Sequence, residues 1–356
     1  MSEAGTISGL GPELLGTRGA ETRVDGFVTH AVASRDGLTV AVATAEGDLY
    51  LIPRDGLRDP TQWQRIEAHD GAVLDLCADT GPDGFLSGGE DSRLLRTASD
   101  GTVTELHRGR RWVDRVASFA GKSAKDSVVA FSTGKQAELR DAAGKTTLKV
   151  LEHPSTVTGL VFDAKGKRIA ASHYNGASMW FVQAKVDTVR GLAWKGSHIG
   201  VAIHPGGDAL VTSMQENDLH GWRLSDGHNM RMSGYPRQVA SIGFSRNGRW
   251  LATSGADAIV LWPFFGGGPM GKAPTELARL PGVFCSRVAP HPVEDVIAAG
   301  FENGIVLIAE IASERVLPLC GPGRGKVSAL CFTPQGGALV FGTEDGVIGT
   351  VDLSAP

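Results

Sequence analysis

The feature that most limits what this chain can fold into is an internal repeat of about 43 residues. Each unit begins with a short apolar segment, continues through a turn rich in Gly, Pro, Asn and Asp, and ends in further β-rich segments. A repeat period of roughly 20 to 50 residues indicates an architecture built from one supersecondary element per unit. The eight units begin at these residues: Val28, Val73, Val113, Val157, His198, Val239, Phe284 and Val327.

The local pattern inside a unit predicts antiparallel hairpins. Turns such as Arg35-Asp36-Gly37 and Arg246-Asn247-Gly248 supply the backbone conformations that tight hairpins need. Four short strands per unit form one twisted sheet that is apolar on both faces, so it must stack on a neighbour to be stable. Radial stacking predicts an all-β fold: a single closed β-propeller of four-stranded antiparallel blades.

The two ends of the chain indicate how the ring closes. The last unit contains only three predicted strands, while residues 13–24 precede the first unit and have no sheet of their own. We therefore expect an N-terminal strand from this segment to complete the last blade. The expected organisation is a flexible segment at residues 1–12 followed by one propeller at residues 13–356. Eight blades are favoured, and the alternative of seven requires unit three, around residues 126–140, to be merged or absent.

Several landmarks match a known family. His69 lies four residues before Val73, and Ser87 and Asp91 follow in the same unit. A tryptophan recurs at one position of the predicted third strand, as Trp180, Trp222 and Trp262. In both features the chain resembles the WD-repeat β-propeller family, over nearly all of its length, from about residue 24 to residue 353.

The resemblance implies a structural network and also has a limit. In the family, a His, a Ser or Thr and an Asp form a buried hydrogen-bond network that fixes a turn, and here His69, Ser87 and Asp91 take those places. The three tryptophans are not followed by Asp, as the family name would require. The repeats are therefore degenerate, and the network is expected in unit two only.

Composition and charge argue against several classes of function. The chain has 35 Lys plus Arg against 39 Asp plus Glu, a net charge of -4 that disfavours binding to nucleic acid or to acidic membranes. No apolar run approaches the roughly 18 residues of a membrane helix, and the first residues do not form a secretory signal, so we expect a cytoplasmic protein. The scattered cysteines Cys77, Cys285, Cys320 and Cys331 predict buried free thiols.

Motifs of catalysis and metal binding are not found in the sequence. The histidines lack metal-ligand spacing, and no GxSxG elbow occurs. The segment Gly266–Ala273 contains a GxxxxGK pattern but ends in Ala where a phosphate loop needs Ser or Thr, so residues 263–274 are interpreted as an extended loop. We expect no metal, no cofactor and no enzyme activity. The alternative is a hydrolase or lyase with its site in the central channel.

What remains is recognition at the surface. The connections between units and the turns between second and third strands open on one face of a propeller. Arginine and aromatic residues are enriched at binding hot spots, and a cationic balance favours an acidic or phosphorylated segment. The sequence thus predicts a monomeric, non-catalytic scaffold that binds a peptide or loop of a partner protein on this face. The candidate partner-binding residues are Arg110, Arg111, Trp112, Tyr174, Tyr235, Arg237, Phe284, Arg287, Arg324 and Lys326.

Overall fold

The computed structural model describes residues 13–354, and its strands are all paired antiparallel. One short helix, α1 (Leu15–Arg18), leads directly into β1 (Gly19–Arg23). Single turns of 3-10 helix occur in loops at Arg54–Gly56, Pro60–Gln62 and Ala124–Asp126. Within this part of the chain, no helix has the length and apolar character that crossing a membrane requires. The predicted flexible segment, residues 1–12, lies outside the described residues.

The strands form seven hydrogen-bonded sheets, and the first three have four strands each in chain order. Sheet one contains β2 (Val28–Ala33), β3 (Thr39–Thr44), β4 (Asp48–Pro53) and β5 (Gln64–Glu67). Sheet two contains β6 (Val73–Ala78), β7 (Phe85–Gly89), β8 (Arg93–Thr97) and β9 (Val103–Arg108). Sheet three contains β10 (Arg115–Phe119), β11 (Val128–Thr133), β12 (Gln136–Asp141) and β13 (Thr147–Glu152).

The remaining sheets include one of six strands. Sheet four contains β14 (Gly159–Phe162), β15 (Arg168–Phe181), β16 (Val189–Ile203), β17 (Ala209–Met214), β18 (Leu219–Arg223) and β19 (Asn229–Met232). Sheet five contains β20 (Ile242–Phe244), β21 (Trp250–Thr253), β22 (Ile259–Pro263) and β23 (Thr275–Leu277). Sheet six contains β24 (Cys285–Pro290), β25 (Val296–Phe301), β26 (Val306–Glu310) and β27 (Val316–Cys320). Sheet seven contains β28 (Val327–Phe332), β29 (Ala338–Thr343), β30 (Val347–Asp352) and β1.

The six-stranded sheet corrects the predicted number of blades. β15 contains both middle strands of unit four, and β16 joins the outer strand of unit four to the inner strand of unit five. The expectation of eight separate four-stranded sheets is therefore wrong, because units four and five share one sheet. The seven-sheet alternative placed the merger at unit three, yet that unit forms the complete sheet three.

The merger has a local cause in the connection between units four and five. Elsewhere at least four residues outside strands separate an outer strand from the next inner strand, whereas β16 runs through this point without a break. Tyr174 pairs with Ser197, so β15 holds the connection in register. Gly196 provides the bend with a φ of 120°, a conformation that side chains disfavour.

Neighbouring sheets are arranged around one axis. Their inner strands contact one another in the order β2, β6, β10, β14, β16, β20, β24, β28 and back to β2. Sheet four contributes two of these strands, so eight inner strands surround the axis although the sheets number seven. The architecture is thus an all-β propeller.

The hydrophobic core lies between the sheets. All residues of β3, β7 and β29 are buried, because a neighbouring sheet covers each of their faces. Between sheets seven and one, for example, Val340 and Ile348 pack with Val40 and Ile52. Burial of one such side chain contributes roughly 1.5–3 kcal/mol, which a single sheet with two exposed faces would lose. The four cysteines are free, two buried and two half-buried.

The N-terminal strand completes the last sheet. β1 pairs antiparallel with β30, with Gly19 opposite Val351 and Arg23 opposite Val347. This strand falls within the segment from which the sequence predicts it. Sheets seven and one themselves meet by packing, with no strand ladder between β28 and β2 in the described chain.

A methyl group at Gly19 tests the contribution of β1. At Gly19 it would collide with the backbone oxygen of Thr350 on β30, whereas at Gly16 it would meet no atom within 4 Å. We expect Gly19→Ala to lower the free energy of unfolding by about 1–3 kcal/mol, the usual cost of overpacking. Gly16→Ala is the matched control and should not destabilise the protein. Urea unfolding of both variants measures the difference, and equal stability would mean that β1 is not held against β30.

Candidate functional site

The three network residues of unit two are hydrogen-bonded to one another. His69 Nδ1 lies 2.9 Å from Asp91 Oδ1, and His69 Nε2 lies 2.8 Å from Ser87 Oγ. The backbone N–H of Asp70 donates to Asp91 Oδ2 at 3.0 Å, and Arg93 Nε donates to the same oxygen at 2.6 Å. The network therefore ties the connection before unit two to the turn between β7 and β8.

Burial sets the protonation of this network. Desolvation lowers the pKa of His69 below its ordinary value, although the hydrogen bond and charge of Asp91 oppose the shift. Burial also opposes ionisation of Asp91, but the hydrogen bonds from His69, the Asp70 N–H and Arg93 hold the pKa of that carboxyl below its usual range. At neutral pH His69 is therefore a neutral imidazole and Asp91 is a carboxylate, and their hydrogen bonds stabilise the fold.

Tyr235, one of the predicted partner-binding residues, is a buried member of a second hydrogen-bonded network. Only 9% of its surface is exposed. Its hydroxyl lies 2.6 Å from Thr253 Oγ1 and accepts a hydrogen bond from Trp262 Nε1 at 2.6 Å. Burial raises the pKa of this hydroxyl to about 12. Tyr235 lies four residues before Val239, the spacing of His69 before Val73, and that spacing could have identified it.

Units four and five contain further variants of the same arrangement. In unit four, Trp180 Nε1 donates to His153 Nε2 at 3.2 Å. In unit five, His198 Nδ1 lies 2.7 Å from Thr212 Oγ1, and His198 Nε2 lies 2.9 Å from the Trp194 backbone oxygen. Each unit thus joins an outer-to-inner connection to its second or third strand through an aromatic side chain, with different residue types.

The central channel contains a layer of residues that occupy one register position of the eight inner strands. Four of the eight residues are small, three are charged, and one is a histidine. The layer consists of His30, Asp75, Arg115, Gly159, Gly200, Ser241, Arg287 and Ala329.

The polar members of this layer bond to the next inner strand. Asp75 Oδ2 accepts from the Val116 N–H at 2.9 Å. Arg115 Nε donates to the Thr158 backbone oxygen at 2.7 Å, and Arg287 Nε donates to that of Ser328 at 2.6 Å. Because no strand ladder within residues 13–354 joins two neighbouring inner strands directly, these bonds connect the inner strands around the axis.

His30 is the remaining titratable group of the layer. Its Nε2 lies 3.5 Å from Asp75 Oδ1, and its side chain keeps 33% exposure to the channel. Desolvation lowers the pKa of His30, the nearby Asp75 carboxylate opposes this shift, and the Arg115 and Arg287 guanidiniums reinforce it. Among residues 13–354, no three His, Cys, Asp or Glu side chains are placed to hold a metal ion. The charged residues Asp75, Arg115 and Arg287 thus have a structural role, because each is hydrogen-bonded to the next inner strand.

Some of the predicted partner-binding residues are exposed, and others contact residues within the protein. Arg110, Arg111, Trp112 and Tyr174 are exposed, Trp112 by 54% and Tyr174 by 59%. The Arg237 guanidinium lies over the ring of Phe284 at 4.8 Å, so these two form a cation–π pair on the surface.

The other predicted cations have partners within the protein. Arg287 lies in the channel layer, Arg324 is paired with Glu21 of β1, and Lys326 Nζ lies 2.8 Å from Glu344 Oε1. Arg324 therefore helps to hold β1 at the closure of the ring. The sequence could not show these pairings, because both partners of each pair are distant along the chain or common in loops.

A series of contacts across units three and four relates Arg111 to Tyr174, and Arg110 and Trp112 flank Arg111 in the chain. Arg111 lies against Gly134, at the turn between β11 and β12, where its NH1 would be 3.2 Å from an added Cβ. The Gly134 backbone oxygen accepts from Val157 at 2.8 Å, and Ser155 Oγ accepts from the Tyr174 N–H at 2.9 Å. We define Arg110, Arg111, Trp112 and Tyr174 as the aromatic rim.

Comparison with known families agrees with this geometry. The family described as "WD domain, G-beta repeat" matches residues 227–262, the stretch that contains Tyr235, Thr253 and Trp262. This stretch of the chain therefore matches one WD repeat, and the whole chain folds as a β-propeller. The designed protein described as "the computationally designed Ika8 protein" has a similar fold: TM-score 0.73, 17% identity, 96% of this chain and all of that chain covered. No protein of the curated set matches this sequence.

The glycine-rich loop of this propeller binds its own lysine. Lys272 Nζ donates to the backbone oxygens of Phe265 and Gly266 and lies 4.9 Å from the centroid of the Phe265 ring. Arg249 lies over the same ring at 5.0 Å. The ammonium that a phosphate loop would direct at a nucleotide is used here inside the loop.

Replacement of the network carboxylate should destabilise the propeller. Both carboxylate oxygens of Asp91 accept hydrogen bonds, so in Asp91→Asn the side-chain NH₂ must replace one of them. In the place of Oδ2, it would face two donors, Arg93 Nε and the Asp70 N–H. We expect a loss of about 1–3 kcal/mol in the free energy of unfolding, the usual cost of an unsatisfied buried polar group. Asp83→Asn is the control, because Asp83 is exposed and accepts only from Ser99 Oγ at 2.9 Å among the described contacts. Equal melting temperatures of the two variants would show that the network does not stabilise the protein.

Proposed function

We propose that this protein is a non-catalytic interaction scaffold that binds a segment of a partner protein at the aromatic rim. One observation carries the proposal: Trp112, which directly follows Arg110 and Arg111 in the chain, and Tyr174 of the next unit each leave more than half of their surface exposed. Within residues 13–354, the side chains of Arg110 and Arg111 have no hydrogen-bond or ion-pair partner. Accessible aromatic rings next to unpaired guanidiniums are the composition of binding hot spots.

The chemistry of the rim favours an acidic or phosphorylated segment. A guanidinium binds a carboxylate or phosphate through two parallel hydrogen bonds, and the neighbouring ring buries apolar surface of the same segment. The overall charge of -4 makes this local excess of positive charge a property of the rim and not of the whole protein. The proposal also includes a monomeric, cytoplasmic protein, as the sequence predicts.

A closed ring supports such binding through its rigidity. The connection that carries Trp112 is fixed by backbone hydrogen bonds from Gly109 to Ser92 and from Val113 to Gly89. A surface that is already ordered loses little conformational entropy when a partner binds. The alternative, an enzyme with its site in the channel, has no specific observation in its favour, because the polar groups there bond to neighbouring strands.

Substitution of the rim tests this proposal. The variant carries Arg111→Ala, Trp112→Ala and Tyr174→Ala, and the control carries Leu38→Ala and Arg246→Ala, two exposed residues at the opposite ends of the inner strands. Proteins captured from the source cell are quantified by mass spectrometry, and the captured segments are mapped by crosslinking. We expect partners held by wild type and control to be weakened about 30-fold by the rim variant. Equal capture by all three proteins would refute the proposed rim.

A further inference from the structure

A second surface lies on the face opposite the aromatic rim. A cavity of about 790 Å³ opens between sheet three and unit four, at the turns that follow their inner strands. Its apolar walls include Phe119, Gly166, Phe181 and Ala184. We call this the Phe119–Phe181 cavity.

Phe119 stands where every other unit has a polar residue that caps a turn. The matching residues in the other units accept a backbone N–H from the following turn, for example Asp163 from Lys167 at 2.8 Å and His291 from Glu294 at 2.8 Å. The full set is Ser34, Asp79, Asp163, His204, Ser245, His291 and Thr333. In unit three, Ser127 Oγ caps the loop instead, by accepting from the Gly121 N–H at 3.0 Å. Phe119 has no role in its own turn, and it forms a wall of the cavity.

Phe181 is the second departure from the repeat. The matching residues of the other units, which follow the third-strand tryptophan position, are Pro53, Ala98, Asp141, Arg223, Pro263, Glu310 and Asp352. Phe181 is the sole aromatic residue of this set, and it is 58% exposed. An exposed phenylalanine contributes little to folding, so two independent departures in one cavity indicate a surface shaped for contact.

The cavity is fixed in shape by its surroundings. The Phe119 and Phe162 rings pack with centroids 6.3 Å apart, and the Phe119 ring covers Gly166 so closely that a Cβ there would collide with it. Lys149 Nζ donates to the Ala184 backbone oxygen at 2.6 Å and pairs with Asp187. Both walls are therefore ordered before any partner binds.

The rim of the cavity is positively charged. Lys122, Lys165 and Lys167 line it and are exposed, against a single carboxylate, Asp126. In the described part of the chain, no carboxylate lies within 4 Å of these three ammonium groups. Asp126 Oδ2 already accepts a hydrogen bond from Ser123 Oγ at 2.7 Å. In a protein of net charge -4, three unpaired lysines around an apolar cavity are complementary to a negatively charged partner.

We infer that the Phe119–Phe181 cavity is a docking site for an acidic segment of a partner protein that inserts one aromatic or large aliphatic side chain between the two phenylalanines. Carboxylates on either side of that anchor would pair with Lys122, Lys165 and Lys167. The anchor would cover the exposed Phe181 ring and displace water from apolar surface, which is the main source of affinity at such sites. This site goes beyond the proposed function and does not depend on the aromatic rim.

Selection from a random library of 12-residue peptides displayed on phage, performed on the wild-type protein, tests the inference. We expect enrichment of sequences with one Phe, Trp, Tyr, Leu or Met flanked by Asp or Glu. The binding of a synthetic enriched peptide is then measured by fluorescence anisotropy against three variants. Phe181→Ser and the double variant Lys165→Glu, Lys167→Glu should each weaken binding at least about tenfold. Leu38→Ser is the matched control, because Leu38 is 56% exposed at the corresponding end of unit one, and it should leave the affinity unchanged.

Several outcomes would overturn the inference. These are the absence of enrichment, enrichment of basic or uncharged peptides, and enriched peptides whose affinity is insensitive to Phe181→Ser. Self-association of the wild-type protein that Phe181→Ser abolishes, measured by sedimentation, would assign the cavity to a second copy of this chain. Loss of aromatic-rim binding with this cavity intact would affect the proposed function alone.

Discussion

Every part of this structure depends on packing between sheets, because neighbouring sheets share no backbone ladder within residues 13–354. A sheet buried on both faces has no stable form without its two neighbours, and packing between sheets is non-directional. The orientation of one sheet relative to the next is fixed by side chains that bond to the neighbouring inner strand. The Asp75 carboxylate accepts from the Val116 N–H, and the Arg287 guanidinium donates to the Ser328 backbone oxygen. β1 then completes the last sheet by pairing with β30. The ring is therefore held by packing, by bonds around the axis and by one terminal strand.

Much of this could be predicted from the sequence, because the repeat period and turn residues report on local structure. The period gave the architecture, and the missing strand of the last unit located β1. The merger of units four and five was not predicted, because it depends on the register between Tyr174 and Ser197, a pairing that no local pattern encodes. The burial of Tyr235 was missed although its spacing before Val239 matches that of His69, because exposure was inferred from residue type. The Phe119–Phe181 cavity was missed because its walls come from two units.

The repeats provide a standard against which single residues can be compared. Where a position is filled in seven units by a residue that caps a turn, the exception at Phe119 is informative. The same comparison explains the polar channel residues, whose contacts hold inner strands together. The contacts that stabilise the ring thus lie in the channel and at the sheet interfaces. The two surfaces proposed for binding, the aromatic rim and the Phe119–Phe181 cavity, lie at the two faces of the ring and carry exposed aromatic residues.

Native-state hydrogen exchange tests most directly whether the sheets depend on one another. Buried amides in the middle strands β3, β11 and β25 come from three sheets that are separated along the chain. If no sheet is stable without its neighbours, these amides exchange only through opening of the whole ring, and their opening free energies agree within about 1 kcal/mol. Opening free energies that differ between these sheets by several kcal/mol would show that the sheets unfold independently, and would contradict this account.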